Sequence, residues 1–181
     1  MPPRTSVRLV RNDRDVEAVR SLFLEYRTWL AEHREVTAFE DTVLETGLRY
    51  FDEEIRALPG AYGPPRGALY VAFEGTTQVG CGALRQLRPY VGEIKRLYVR
   101  PDSRGARLGR RITRALLNRA RTLGYDRVVL DTLPNMKAAI AIYREMGFVP
   151  IRPYWAHPYP DALFFEYRLR GPAVSSARRQ D

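Results

Sequence analysis

The chain holds a single cysteine, Cys81, so an intrachain disulfide is excluded and a reducing, cytoplasmic setting is expected. No apolar run approaches the ~20 residues that a membrane-spanning helix needs. The opening stretch, MPPRTSVRLVRNDRD, has no apolar core of signal-peptide length. Histidine is equally scarce, with only His33 and His157, and no spacing of His, Cys, Asp or Glu fits a metal site. A Cys/His nucleophile pair is therefore unsupported. No Gly-Lys-Ser/Thr closes a Walker loop, and the glycines at 105 and 109 are spaced GxxxG, unlike a dinucleotide-binding fingerprint. Repeats and composition breaks are absent as well.

What is present suits one α/β domain. The 181 residues are 45% apolar and 11% aromatic, enough for a sizeable core over 1–170. Residues 171–181 read as a frayed, flexible tail. The formal charge of +9 is concentrated: residues 95–127 carry eleven Lys/Arg against two Asp/Glu, and the remainder balances to zero. A concentrated positive field suits a nucleic acid, a membrane surface or a phosphorylated cofactor.

Periodicity gives the elements. Residues 6–11 alternate as a strand, and Asn12 or Asp13 caps a helix to about 31 with Val16, Val19, Phe23, Tyr26 and Leu30 at helical spacing. A second helix covers roughly 39–58, with Val43, Leu44, Leu48, Phe51 and Ile55 on one face. The Pro/Gly-rich stretch 59–67 is a loop. Strands at 68–74, 78–84 and 91–99 form an antiparallel meander. A helix from about 106 to 123, a buried strand at 127–131, a helix at 136–146, and strands at 148–151 and 162–170 complete the order βααβββαβαββ. Such an order predicts a mixed, mostly antiparallel sheet of six to seven strands flanked by four helices on both faces. Gly80 and Gly82, inside a strand, mark close packing or a bulge, and Cys81 between them is a small core residue.

The sharpest chemical signal is the junction of the strand at 91–99 with the basic helix, reading EIKRLYVRPDSRGARLG. Arg104, Gly105 and Gly109 fall where loop becomes helix, where unpaired amides and the helix dipole favour an anion. Gly105 and Gly109 let backbone approach a phosphate, and Arg104, Arg107, Arg110 and Arg111 add charged donors. A solvated basic helix after a tight turn would show the same residues.

The run from 93 to 148 resembles the GNAT acyltransferase superfamily, through RLYVRP, then RGARLG opening a helix, then AIAIYREMGF. The resemblance implies an acyl-CoA co-substrate, most often acetyl-CoA, with its diphosphate on the turn formed by Arg104, Gly105, Ala106, Arg107, Leu108, Gly109 and Arg110. It also implies a pantetheine arm along the backbone of Leu97, Tyr98 and Val99, where an amide polarises the thioester as an oxyanion hole does. Tyr143 falls on the tyrosine that protonates the leaving thiolate. A phenol of pKa ~10 is suited to that, although Tyr143 also lies on the apolar stripe of its helix. Two positions depart from the family pattern: Arg107 stands where glycine is usual, and Met136 where asparagine is frequent, with Asn135 one residue earlier as the pantetheine contact.

Glu93 is the candidate general base, or a binding group for a cationic acceptor, and equally the partner of a neighbouring Lys or Arg. His157 reads as a surface residue of a Pro-rich loop. In that loop Tyr154 and Trp155 wall the acceptor pocket or merely cover the end of the sheet, and 59–67 faces it. The expected activity is transfer of an acetyl group from acetyl-CoA to a primary amine in a ternary complex, with no metal. The acceptor is a small amine recognised by Glu93, or an amino-acid-like compound whose carboxylate meets Arg85, Arg88 or Arg152. The alternatives are a nucleic-acid-binding module, against which stands the lack of interleaved aromatics, and a non-catalytic CoA sensor. An exposed last strand would offer an edge for a homodimer.

Overall fold

A computed structural model of the chain describes residues 4–32, 41–105, 107–157 and 159–169, with 41–44 described by backbone alone. His33, Ala106, the start of the second predicted helix and the tail from 171 lie outside the described residues. So do the side chains of Val43 and Leu44.

The chain runs β1 (Thr5–Leu9), α1 (Asp13–Glu32), α2 (Asp41–Arg56), β2 (Ala68–Glu74), β3 (Thr77–Arg88), β4 (Val91–Val99), α3 (Leu108–Thr122), β5 (Arg127–Thr132), α4 (Lys137–Glu145), β6 (Val149–Ile151) and β7 (Leu163–Arg168). These strands form one seven-stranded sheet in the order β1-β2-β3-β4-β5-β7-β6. Only β4 and β5 are parallel; every other described pair is antiparallel. The element order and mixed sheet agree with the sequence reading. The edge does not: β7 lies between β5 and β6, so the last strand is interior and offers no edge for a dimer. The outer strands are β1 and β6, and β6 is three residues long with Pro150 in its centre, which blunts pairing.

Local chemistry explains the elements. Asn12 caps α1, its Oδ1 accepting the Asp15 N–H at 2.9 Å. Along α1 and α2, Val19, Leu22, Phe23, Phe51 and Ile55 pack onto one face of the sheet with Leu69, Val71, Cys81 and Tyr98. On the other face Ile112, Leu116 and Leu117 of α3 and Ile140 and Tyr143 of α4 pack against Leu84, Ile94, Leu130 and Phe165. Each buried aliphatic side chain contributes roughly 1.5–3 kcal/mol. α3 sits so close to β3 that a Cβ on Gly82 would lie 2.6 Å from Ile112 Cγ2, and one on Gly80 would lie 2.9 Å from the Tyr98 carbonyl. Close packing and a β3–β4 irregularity both occur there. No described helix is long and apolar enough to cross a membrane.

β3 extends four residues past its predicted end. Arg85, Gln86, Leu87 and Arg88 lack an apolar alternation, yet they pair with the start of β4 across a tight turn at Pro89-Tyr90. That polar end of β3 positions the site described next.

Candidate active site

The parallel pair β4–β5 is joined only at Val91, Gly92 and Glu93, opposite Arg127, Val128 and Val129. Beyond Glu93 the strands separate: β5 continues against β7 to Thr132, and β4 continues against β3 to Val99. The sheet therefore opens into a wedge lined on one side by β4 backbone from Ile94 onward, which includes Leu97, Tyr98 and Val99. Inside that stretch Arg96 takes a left-handed backbone, φ 57°, at a bulge opposite β3. Lys95 pairs with Ala83 and Tyr98 with Cys81, both on the α1/α2 face. Glu93, Lys95, Arg96 and Tyr98 thus project to one side, while Leu97 and Val99 pack toward α3.

Below the wedge lies the turn into α3. Gly105 has φ 108°, and a Cβ placed on it would meet nothing within 4 Å, so its backbone is open to a close approach. Arg107 is the N-cap residue of α3, again left-handed at φ 54°, and no side chain caps the helix. The departure from glycine thus changes the side chain without changing the backbone geometry glycine favours, and it starts α3 at Leu108 rather than 106. The first-turn amides of α3 are left for an outside acceptor. Leu108 is a core residue, 1% exposed, so only its backbone faces the turn. Arg110 pairs with Glu145 of α4 at 3.1 Å and Arg111 donates to Thr5, whereas Arg104 reaches the Val99 carbonyl at 3.3 Å and lies near Trp29.

On the far side of the wedge, Tyr143 of α4 packs against Phe148 and Phe165. Tyr143 is 5% exposed, in the core on the α3/α4 face of the sheet. Burial pushes this phenol well above its ordinary range, so it keeps its proton. Asn135, before α4, has a buried Oδ1 with no hydrogen-bond donor among the described residues. An orphaned buried acceptor is rare, and it marks a place where a polar partner fits.

The α1/α2 face carries a network that spacing did not reveal. Glu93 is 1% exposed; Arg85 Nε donates to its Oε2 at 2.6 Å and the Tyr154 hydroxyl to its Oε1 at 2.8 Å. The same hydroxyl lies 3.2 Å from Asp131 Oδ1, which also accepts Lys95 Nζ at 2.9 Å. Behind it, Arg96 grips Glu54 bidentately at 2.9 and 2.8 Å, and Tyr62 donates to Glu54 at 2.5 Å. His157 is not a surface residue: its Nδ1 accepts the Tyr159 N–H at 3.0 Å, so the ring proton sits on Nε2, 3.3 Å from Asp131 Oδ2. Burial would raise Asp131, but His157 and Lys95 hold its carboxyl well below the usual range. Burial and the Asp131 and Glu93 carboxylates push the Tyr154 phenol far up. Trp155 is 41% exposed beside Lys95 and His157.

The structure thus brings together Glu93, Tyr154 and Trp155 on the α1/α2 face, and Arg104, Gly105, Arg107 and the α3 amides at the turn into α3, while Tyr143 lies in α4 and Asn135 just before it. Sequence reasoning missed Asp131, Lys95, Arg96 and Glu54. The one available signal was Asp131 itself, an acid ending the buried strand Arg-Val-Val-Leu-Asp. The concentrated charge also resolves: Lys95, Arg96, Arg100, Arg110 and Arg127 each form an ion pair with an acid from elsewhere in the chain or its own strand's neighbours.

A mixed sheet that opens between two parallel strands above an uncapped helix N-terminus is the architecture of an acyl-CoA-type transferase, and comparison agrees. The Acetyltransferase (GNAT) family model matches residues 16–148, and the chain belongs to that family. An uncharacterized N-acetyltransferase of Schizosaccharomyces pombe is 30% identical over 170 residues, covering 93% of this chain and 97% of that protein. The IAA acetyltransferase of Azospirillum brasilense is 37% identical over 101 residues, 55% of this chain and 66% of its own. Among solved structures, an acetyltransferase of Salmonella typhimurium with its cofactor acetyl-CoA superposes with a TM-score of 0.64 at 20% identity, covering 96% and 98% of the two chains. An N-acetyltransferase of Thermoplasma acidophilum in complex with coenzyme A gives 0.69 at 14%, covering 91% and 99%. At these identities the structural likeness carries the fold.

Proposed function

We propose that this protein is an N-acetyltransferase that moves an acetyl group from acetyl-CoA to a primary amine by direct attack in a ternary complex. The observation that carries the reading is the wedge between β4 and β5, opened immediately after Glu93, with the uncapped N-terminus of α3 below it.

The residues present fit the co-substrate. Gly105 and the first-turn amides of α3 offer an open, electropositive cradle for a diphosphate, with Arg104 and Arg107 as charged donors. Ala106, expected in the same cradle, lies outside the described residues. Asn135 Oδ1 is an acceptor waiting for an amide N–H, as a pantetheine arm would supply. The backbone of β4 from Leu97 to Val99 lacks a β5 partner and is placed to hold that arm and to polarise a carbonyl.

Acetyl-CoA supplies the activated acetyl thioester. Glu93, whose oxygens each keep a lone pair beyond the contacts with Arg85 and Tyr154, takes the proton of the acceptor amine directly or through water. Tyr143 keeps its proton at neutral pH and donates it to the departing sulfur. Tyr154 and Trp155 wall the acceptor side. Five of the basic residues in 95–127 are already neutralised internally, which weighs against a nucleic-acid surface.

Calorimetric titration of the purified protein with acetyl-CoA is expected to show one-site binding, and thiol release is expected to rise when an amine is added. No heat and no thermal shift at saturating acetyl-CoA would overturn the reading.

A further inference from the structure

The acceptor side of the wedge is electrically closed, with one exception. Three carboxylates face it, Glu54, Glu93 and Asp131, and three cations, Arg85, Lys95 and Arg96. They pair off: Arg96 with Glu54, Lys95 with Asp131 and, more loosely at 3.9 Å, with Glu93, and Arg85 with Glu93. Tyr62 donates its hydroxyl to Glu54, and the single Tyr154 proton goes to Glu93 at 2.8 Å with Asp131 at 3.2 Å from the same oxygen. Among these three, no carboxylate is left over to hold a second ammonium of a polyamine-like acceptor.

Spare capacity exists on the cationic side instead. Arg96 spends both ends of its fork on Glu54, and Lys95 is 13% exposed against Asp131. Arg85 meets Glu93 through Nε alone. Neither of its terminal nitrogens has a hydrogen-bond or ion-pair partner among the described residues. The Arg85 side chain is 36% exposed while Glu93 beneath it is 1% exposed, so the guanidinium stands at the mouth of the site with Glu93 below. A planar fork with two free N–H edges is matched to a carboxylate. The nitrogen that holds Glu93 and those that remain free belong to one guanidinium, so a ligand anion on Arg85 lies only a few bonds from an amine served by Glu93.

Building on the acetyl-transfer reading, we infer that Arg85 is the specificity-determining residue of the acceptor site and that the acceptor is an α-amino acid or a close amino-carboxylate analogue. A zwitterion suits a site whose own charges already balance. The exposed Trp155 and the ring of Tyr154, edge-on to Phe164 at 5.2 Å, offer apolar surface for its side chain.

The test compares each amino acid with its decarboxylated amine: L-phenylalanine with phenethylamine, L-leucine with isoamylamine, L-lysine with cadaverine. Acetyl-CoA-dependent thiol release is expected to favour the amino acid in kcat/KM by roughly 10- to 100-fold, the worth of a charge-assisted contact. In Arg85→Gln the ratio should fall to near one, carried by KM for the amino acid, and Arg85→Lys should restore part of it. Because Glu93 also loses a partner in these variants, absolute rates toward both compounds drop; the ratio is the readout that a purely structural role would leave in place. The wild-type comparison needs no variant and stands if Arg85→Gln fails to fold. Binding of acetyl-CoA without preference for the carboxylate, or without turnover of either series, overturns the Arg85 assignment alone. Absence of acetyl-CoA binding overturns the transferase reading and this inference with it.

Discussion

The two sides of the wedge are built in opposite ways. On the cofactor side, the turn from Arg104 to Leu108 is a few consecutive residues with open backbone, a left-handed Arg107 and uncapped amides. On the proposed acceptor side, Glu93 is buried, Glu54 and Asp131 are half-buried, and all three are paired, through contacts that join Glu93 to Tyr154 across 61 residues, Lys95 to Asp131 across 36 and Arg96 to Glu54 across 42. One half is a local loop whose partners are absent from the chain itself; the other is a long-range lattice of charges that satisfies itself. A generic ligand, common to many enzymes, can be held by the first. Selectivity, and much of the cost of misfolding, belongs to the second.

This contrast can be broken at several points. The largest effect is expected at the hinge between the halves: Tyr143→Phe should lower turnover by roughly 10²- to 10⁴-fold while leaving acetyl-CoA affinity and stability nearly unchanged. Unchanged turnover would remove Tyr143 from the chemistry. Next, Asp131→Ala leaves Lys95, 13% exposed, with only the looser 3.9 Å contact to Glu93 and should cost about 3 kcal/mol in urea unfolding. A milder replacement, Asp131→Asn, tests the linked protonation. Asp131 is held below its unfolded value of ~3.9, so its contribution to stability is present above that pH and is lost as pH falls toward the folded value. The acid-induced loss of stability below about pH 4 should therefore be shallower in Asp131→Asn than in the parent.

The cofactor side should respond the other way round. Arg104→Ala is expected to weaken acetyl-CoA binding about tenfold by calorimetry and to move stability by less than about 0.5 kcal/mol. If it unfolds the protein as severely as Asp131→Ala, the division between the two sides is wrong. Smallest of all, Arg107→Gly should relieve the left-handed backbone, of order 1 kcal/mol, against a similar loss of chain entropy. A net change within about 1 kcal/mol in thermal unfolding is expected, together with a modest loss of acetyl-CoA affinity from the missing charge.

The same contrast explains what could be read from the sequence. The element order, the bounds of β4 and the turn at Arg104–Gly109 followed from alternation, helix spacing and glycine placement, all of which are local. Glu93, Tyr154 and Trp155 were legible as candidates because they sit in unusual company along the chain. The charged network beside Glu93 was not, since nothing in a linear pattern says that Lys95 and a histidine from a Pro-rich loop converge on Asp131. His157 looked like a surface residue because its neighbours Pro158 and Pro160 signal a loop, and a loop folded over a sheet end is still partly buried. The polar end of β3, Arg85 to Arg88, fell outside the predicted strand for a related reason: it lacks the apolar alternation that announces a strand. The net charge located the basic segment but not which of its members are free, because the acids that pair with Lys95, Arg96, Arg100, Arg110 and Arg127 lie elsewhere in the chain.

Within β4, Glu93 and Tyr98 are an odd number of residues apart and yet point the same way, because the extra residue at Arg96 resets the parity of the strand. Removing that one extra residue would restore plain alternation and leave Lys95 opposite Ala83 and Tyr98 opposite Cys81, with Leu97 still toward α3. What would vanish is the second consecutive side chain on the α1/α2 face, the guanidinium that grips Glu54, so the bulge is the device by which one strand places two adjacent cations on the same side.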